Sequence, residues 1–155
     1  MKRRKLRVGL DFAGIGVPIV GLRRALGPRK VKVVLKTASE IDKKCQKVLT
    51  LMLGAERMHG DIRQRTDDSD LDVLVITAPC RDFSSENSNA AGSSTLRGSL
   101  VWQSIKWIRD RKQAGKKTPE ALMIENVATW LKLAKYRPFL KKLNSRLCKL
   151  GCKCF

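Results

Sequence analysis

Apolar positions along this chain follow two alternating rhythms. Near-continuous apolar runs rich in Val, Ile and Leu occupy residues 6–10, 31–38 and 70–78, and between them apolar residues recur every three to four positions. Short β-type runs alternating with helical periods predict parallel α/β units. Residues 6–10 give a first strand. Residues 16–26 give a helix with Pro18 in its first turn, where a missing N–H does no harm, and Gly27-Pro28 stopping it. Residues 31–38 form a second strand and 41–53 a second helix, whose Ile41, Cys45, Val48/Leu49 and Met52 share the face expected to meet the core. A weak third strand falls at 57–59, and 70–78 reads as the clearest buried one. Beyond a polar stretch at 81–98, long for a connection in a compact domain, Leu100/Val101, Ile105 and Ile108 stripe a helix. Residues 120–126 make a fifth strand, and Phe139/Leu140, Leu143, Leu147 and Leu150 mark a last helix after Pro138. The expected fold class is α/β: a mostly parallel sheet of about five strands with helices on both faces.

Charge sharpens this picture. A chain of 155 residues suffices for one domain with a real core, and 43% apolar content excludes a disordered tail. Lys and Arg number 33 against 14 Asp and Glu, a formal net charge of +19, and self-repulsion on that scale calls for a polyanion. Nucleic acid is the expected partner, with a merely lysine-rich surface as the bland alternative. No apolar run approaches the ~20 residues that span a bilayer, so no membrane is expected. The start, MKRRKLRVGLDF, leads straight into the first strand rather than resembling a leader, and KRRK reads as surface before it reads as a nuclear address. The five cysteines form no secreted framework, which points to a reducing, intracellular setting. That setting is the cytoplasm of a prokaryote, or the nucleus or a virus-associated site in a eukaryotic host. Cys148, Cys152 and Cys154 lie close together, but with one histidine, His59, and no second paired cysteine motif, no metal site is expected.

Candidate chemistry sits where strands are expected to end. DFAGIGV (11–17) joins strand one to helix one, and its glycines allow a tight turn and close approach of a ligand to the backbone. At the end of strand two, SEID places Glu40 and Asp42 where a carboxylate can accept from ribose hydroxyls, or where it can simply favour a helix N-terminus. GDI follows strand three, APCRDFSS follows strand four and ENV follows strand five.

In that order these motifs resemble the cytosine-5 DNA methyltransferase family, and the likeness runs from about residue 7 to the chain end. The resemblance implies a Rossmann-like S-adenosylmethionine-dependent fold, with a cofactor-binding half over 5–62 and a catalytic half over 70–155 of one partial domain. It assigns Phe12, Gly14, Gly16, Glu40, Asp42, Asp61 and Pro79 to S-adenosylmethionine. It assigns Cys80 as nucleophile, Glu125 as the acid acting at ring nitrogen 3, and Arg97, ahead of Gly98, as the end of the catalytic loop. A thiolate adding at carbon 6 of cytosine makes carbon 5 nucleophilic, which splits one hard step into two easier ones. A free thiol of pKa ~8.5 is only slightly ionised at neutral pH, so Arg81 and Arg97 are candidates for favouring the thiolate.

Several positions depart from the family pattern. Ala78 replaces a second proline, Arg81 a glutamine and Thr95 an aspartate, while Leu10-Asp11 shifts the first-motif acid by one residue. Nothing here resembles the later base-supporting motif or the target-recognition region. The sequence therefore reads as a split enzyme, a shortened relative or a fragment, with strand five an apolar edge awaiting a complementing chain. DNA is the expected substrate and RNA the runner-up, as in tRNA cytosine methyltransferases. The competing class is a catalytically inactive nucleic-acid-binding protein derived from such a domain. A nicotinamide-dependent oxidoreductase is a distant fourth reading, because it accounts for the glycines alone.

Overall fold

The computed structural model describes residues 4–80 and 99–152, which group into two units. The first unit comprises residues 1–77 and 117–124. Five parallel strands make its sheet: β1 (Arg4–Asp11), β2 (Val31–Ser39), β3 (Arg57–His59), β4 (Val73–Ile76) and β5 (Ala121–Ile124), in the order β3-β2-β1-β4-β5. Helices α1 (Val17–Leu26) and α2 (Lys43–Leu51) connect the first three. Strand order reverses between β1 and β4, and in open parallel sheets the crevice outside the strand ends at such a reversal is the usual ligand site. The core of this unit joins Val8, Leu10, Val33 and Leu35 of the strands to Ile19 of α1 and Leu49 of α2.

Local chemistry sets the element ends. Asp42 caps α2 through its carboxylate, which accepts from Lys44 N at 2.7 Å and Cys45 N at 3.0 Å. The helix therefore starts at Lys43 rather than 41, and the face expected to be buried is corrected accordingly. Ile41 lies before the cap and is 73% exposed, Met52 is 75% exposed, and Cys45 is only half-buried. Leu49 meets the core as expected, joined by Leu53. Strand four is shorter than expected because Asp72 is occupied at its entrance. Its carboxylate accepts from the backbone N–H of Arg7 at 2.8 Å and from the Arg7 guanidinium. That hydrogen bonding holds the Asp72 carboxyl far below the usual range.

The second unit comprises residues 78–116 and 125–155. It contains α3 (Val101–Gln113), a short α4 (Thr129–Lys132) and α5 (Arg137–Lys149), with Pro138 in the first turn of α5. Phe139 of α5 packs its ring 5.2 Å from Trp102 of α3 and 5.1 Å from Trp130 of α4. The α3 and α5 ends are tied by Lys112, whose ammonium donates to the Leu150 carbonyl at 2.9 Å. The turn at α4 was not visible in the apolar spacing.

Candidate cofactor loop and catalytic strand ends

In the first unit, β1 runs into a turn that bends back on itself. Phe12 (φ 60°), Gly14 (φ 51°) and Gly16 (φ 81°) all take left-handed backbone, and Gly16 N donates to Ala13 O at 2.9 Å. Gly16 admits no side chain, since a Cβ would stand 2.2 Å from Leu53 Cδ1. At Gly14 the space is open, so only its φ asks for glycine. For Phe12 the conformation is strained, and strain of this kind persists only where the surroundings over-determine it. They do so here. Thr77, just past β4, donates its hydroxyl to Phe12 O at 2.9 Å and its N–H to Asp11 O at 3.1 Å. Ala13 N donates to Ser39 O at the end of β2.

Glu40 closes the loop from the other side. One carboxylate oxygen accepts from Gly14 N at 2.7 Å and the other from Asp42 N at 2.8 Å. Its own N–H donates to His59 O, and Gln46 donates to its carbonyl. The two acids read from SEID thus separate. Asp42 serves the helix cap, while Glu40 faces the glycine turn. Asp61 caps a short 3-10 turn (Ile62–Gln64) and pairs with the Arg63 guanidinium, whose hydrogen bonds hold its carboxyl below the usual range.

Beneath this loop lies a feature that the sequence did not announce. Asp11, Arg65 and Asp67 are buried together, with side chains 1%, 1% and 0% exposed. Arg65 Nη1 donates to both Asp11 oxygens at 2.7 and 2.9 Å, and its Nε donates to Asp67 at 2.6 Å. His59 Nε2 stands 3.4 Å from Asp67. Burial raises the Asp67 carboxyl, but the Arg65 charge and its hydrogen bonds outweigh that and hold it low. Burial pushes His59 down, so it favours the neutral form. The one signal in the sequence was the position of Asp11, one residue later than the family's acid.

In the second unit, Ala78, Pro79 and Cys80 follow β4, and Glu125, Asn126 and Val127 follow β5. Ala78 is buried, Pro79 half-buried, and Cys80 and Glu125 are exposed. Asn126 joins the two segments. Its Nδ2 donates to Ala78 O at 3.0 Å, while its Oδ1 accepts from Val127 N at 3.0 Å. The residues read as nucleophile and acid therefore leave two strands that are neighbours in register, Ile76 opposite Ile124, with an amide bridging the segments. Arg97, with Arg81, Phe83, Ser84, Thr95 and Gly98, lies outside the described residues, as does Cys154.

The fit of S-adenosylmethionine rests on the first unit's own groups. A carboxylate offers about four acceptor positions, and Glu40 uses two, leaving acceptors for a ribose diol. Ile41 beside it presents an exposed apolar side chain suited to a purine face. The glycine turn supplies a closely approachable backbone.

Comparison with known proteins shows the family and the fold. A family model described as C-5 cytosine-specific DNA methylase matches residues 10–155. The Type II methyltransferase M.BanI of Aneurinibacillus aneurinilyticus is 32% identical over 140 residues, covering 90% of this chain but 31% of that protein. Among solved structures, the S. pombe Dnmt2 methyltransferase matches with a TM-score of 0.62 at 20% identity, over 92% of this chain and 41% of that one. The Entamoeba histolytica methyltransferase EhMeth matches at 0.60 and 16%, over 94% and 44%. These two likenesses show the Rossmann-like methyltransferase fold.

Proposed function

The chain belongs to the C-5 cytosine-specific DNA methylase family, and on that premise we propose that it carries the methyl-transfer chemistry of a DNA (cytosine-5)-methyltransferase. The observation that carries the reading is the Asn126–Ala78 hydrogen bond, which holds the Glu125 segment to the segment bearing Cys80. The family implies S-adenosylmethionine, which when bound would supply an electrophilic methyl group, its sulfur–methyl bond breaking to leave a neutral thioether. Phe12, Gly14, Gly16, Glu40 and Pro79 would hold it, with Asp42 and Asp61 shaping the turns beside it. The Cys80 thiolate adds to carbon 6 of a cytosine, and the ring's electron pair becomes available at carbon 5 for a bond to the methyl. Glu125 places a proton or hydrogen bond at ring nitrogen 3, where charge accumulates during that addition. Water takes the carbon 5 proton, and the electron pair so released re-forms the ring double bond and expels Cys80 from carbon 6 as the thiolate. The base must leave the duplex to reach these groups, at a cost of a few kcal/mol.

A complementing chain or domain is part of the proposal. Among the described residues β5 is an edge strand paired on one side by β4, with Met123 43% exposed. Open apolar edges are templates for further pairing. A nucleophilic free thiol also calls for a reducing, intracellular setting. The test is a duplex carrying 5-fluorocytosine, incubated with S-adenosylmethionine with and without candidate partner chains. A covalent adduct that is lost in Cys80→Ser is expected. No adduct under any condition, with tight salt-sensitive DNA binding, would replace this reading with that of a nucleic-acid-binding protein.

A further inference from the structure

Within the second unit, α3 and α5 enclose a groove of about 640 Å³ that takes no part in the chemistry above. Five cations line it: Lys106, Arg109 and Lys112 from α3, Arg146 and Lys149 from α5. On α3 the cations recur every three residues, as do the two on α5, so each wall carries a row of charge about one helical turn apart. The only acid on either helix is Asp110, which pairs with Lys106 and Arg109. The floor holds Trp102 and Ile105, and Arg146 lies over the Trp102 ring at 4.5 Å. Cations in a helix's last turn complement its dipole, and Lys112 does this for α5 by donating to the Leu150 carbonyl. Dipole complementation does not explain Lys106 or Arg109, which stand earlier in α3 and are both more than half exposed.

We propose that this groove is a second, sequence-independent contact for the phosphate backbone of the DNA. Two charged rows along a shallow cleft suit a linear polyanion, and Trp102 offers a face for a sugar or unstacked base. The groove begins at the first turn of α3, and at 1.5 Å per residue Lys112 lies ~16 Å along the axis from Val101. It is therefore a positioning contact, since phosphate contacts orient a protein without reading sequence. The proposal rests on the DNA substrate of the preceding reading, and its test does not require turnover.

Affinity of the chain for a labelled duplex is measured between about 50 and 200 mM salt. Arg109→Gln, Arg146→Gln and Lys149→Gln are combined, leaving Lys112 in place to hold α5, with circular dichroism to verify folding. Each phosphate contact contributes ~0.9 to the slope of log affinity against log salt, so the triple variant is expected to lower the slope by about 2 to 3. Its affinity near 0.15 M salt should fall at least ~10-fold on the same basis. A charge-matched control, Lys5→Gln, Arg24→Gln and Lys32→Gln in the first unit, should change the slope by less than about 1. Equal effects of the two triples would overturn the proposal in favour of diffuse net charge. Unchanged DNA binding with lost affinity for poly-glutamate would overturn it in favour of an acidic protein partner. Adduct yield at saturating 5-fluorocytosine duplex is followed in parallel. It reports on Cys80 chemistry, whereas the slope reports on the groove.

Discussion

The cofactor loop and the catalytic segments are built to different standards of restraint. Around Phe12 to Gly16, backbone groups are tied from three directions: Thr77 past β4, Ser39 at the end of β2, and the Glu40 carboxylate. A buried ion cluster lies beneath. The side chains of Cys80 and Glu125 are exposed, and among the described residues an amide hydrogen bond from Asn126 ties their segments. The turn proposed to hold the cofactor is thus preorganised within one unit, whereas the proposed nucleophile and acid stand at exposed positions.

Breaking each side should give distinct signatures. Cys80→Ser should abolish adduct formation and reduce any methyl transfer by at least ~10³-fold with unchanged cofactor binding, measured by tritium transfer and calorimetry. Arg65→Met strands two buried carboxylates, so stability should fall by about 3 to 5 kcal/mol in urea titration while Cys80 stays chemically reactive. Gly16→Ala meets both a left-handed backbone and Leu53, costing about 3 kcal/mol, whereas Gly14→Ala meets only the backbone and costs about 1 kcal/mol. Equal costs for the two glycines would show that packing does not decide at Gly16. Asn126→Ala should lower stability by only about 1 kcal/mol yet slow adduct formation by ~10- to 100-fold, because it frees the acid's segment from the thiol's.

Acid should weaken the first unit in two steps. His59 is depressed in the folded state, so the unfolded chain takes up its proton first, and stability begins to fall as pH drops through about 6.5. Asp67 and Asp72 are also depressed, and the stability they contribute is present above about pH 4 and lost below it. His59→Gln should remove the first step and spare the second, as read from urea midpoints across pH.

Much of the fold was legible because burial imposes periodicity. The apolar run at 31–38 became β2 within a residue at its end, since a strand set deep in a sheet cannot hide its composition, and the weaker signal at 57–59 became β3. The second helix was misjudged at its ends, where Asp42's side-chain hydrogen bonds outweighed the apolar spacing that would have enrolled Ile41. In the site, the assignment of Cys80 and Glu125 rests on motif order. The division of labour between Glu40 and Asp42 did not, because either acid could have capped the helix.

By itself the sequence determined the order of strands and helices, the family and the reactive residue types, all of which follow from local pattern and covalent chemistry. Tertiary structure alone decided that Asp11 meets Arg65 54 positions away, that Asn126 reaches back 48 to Ala78, and that the cations of α3 and α5 face one groove. Each is a pairing of polar groups distant in sequence. Such pairings leave no periodic trace, because a polar residue looks alike in the sequence whether water or a buried partner satisfies it.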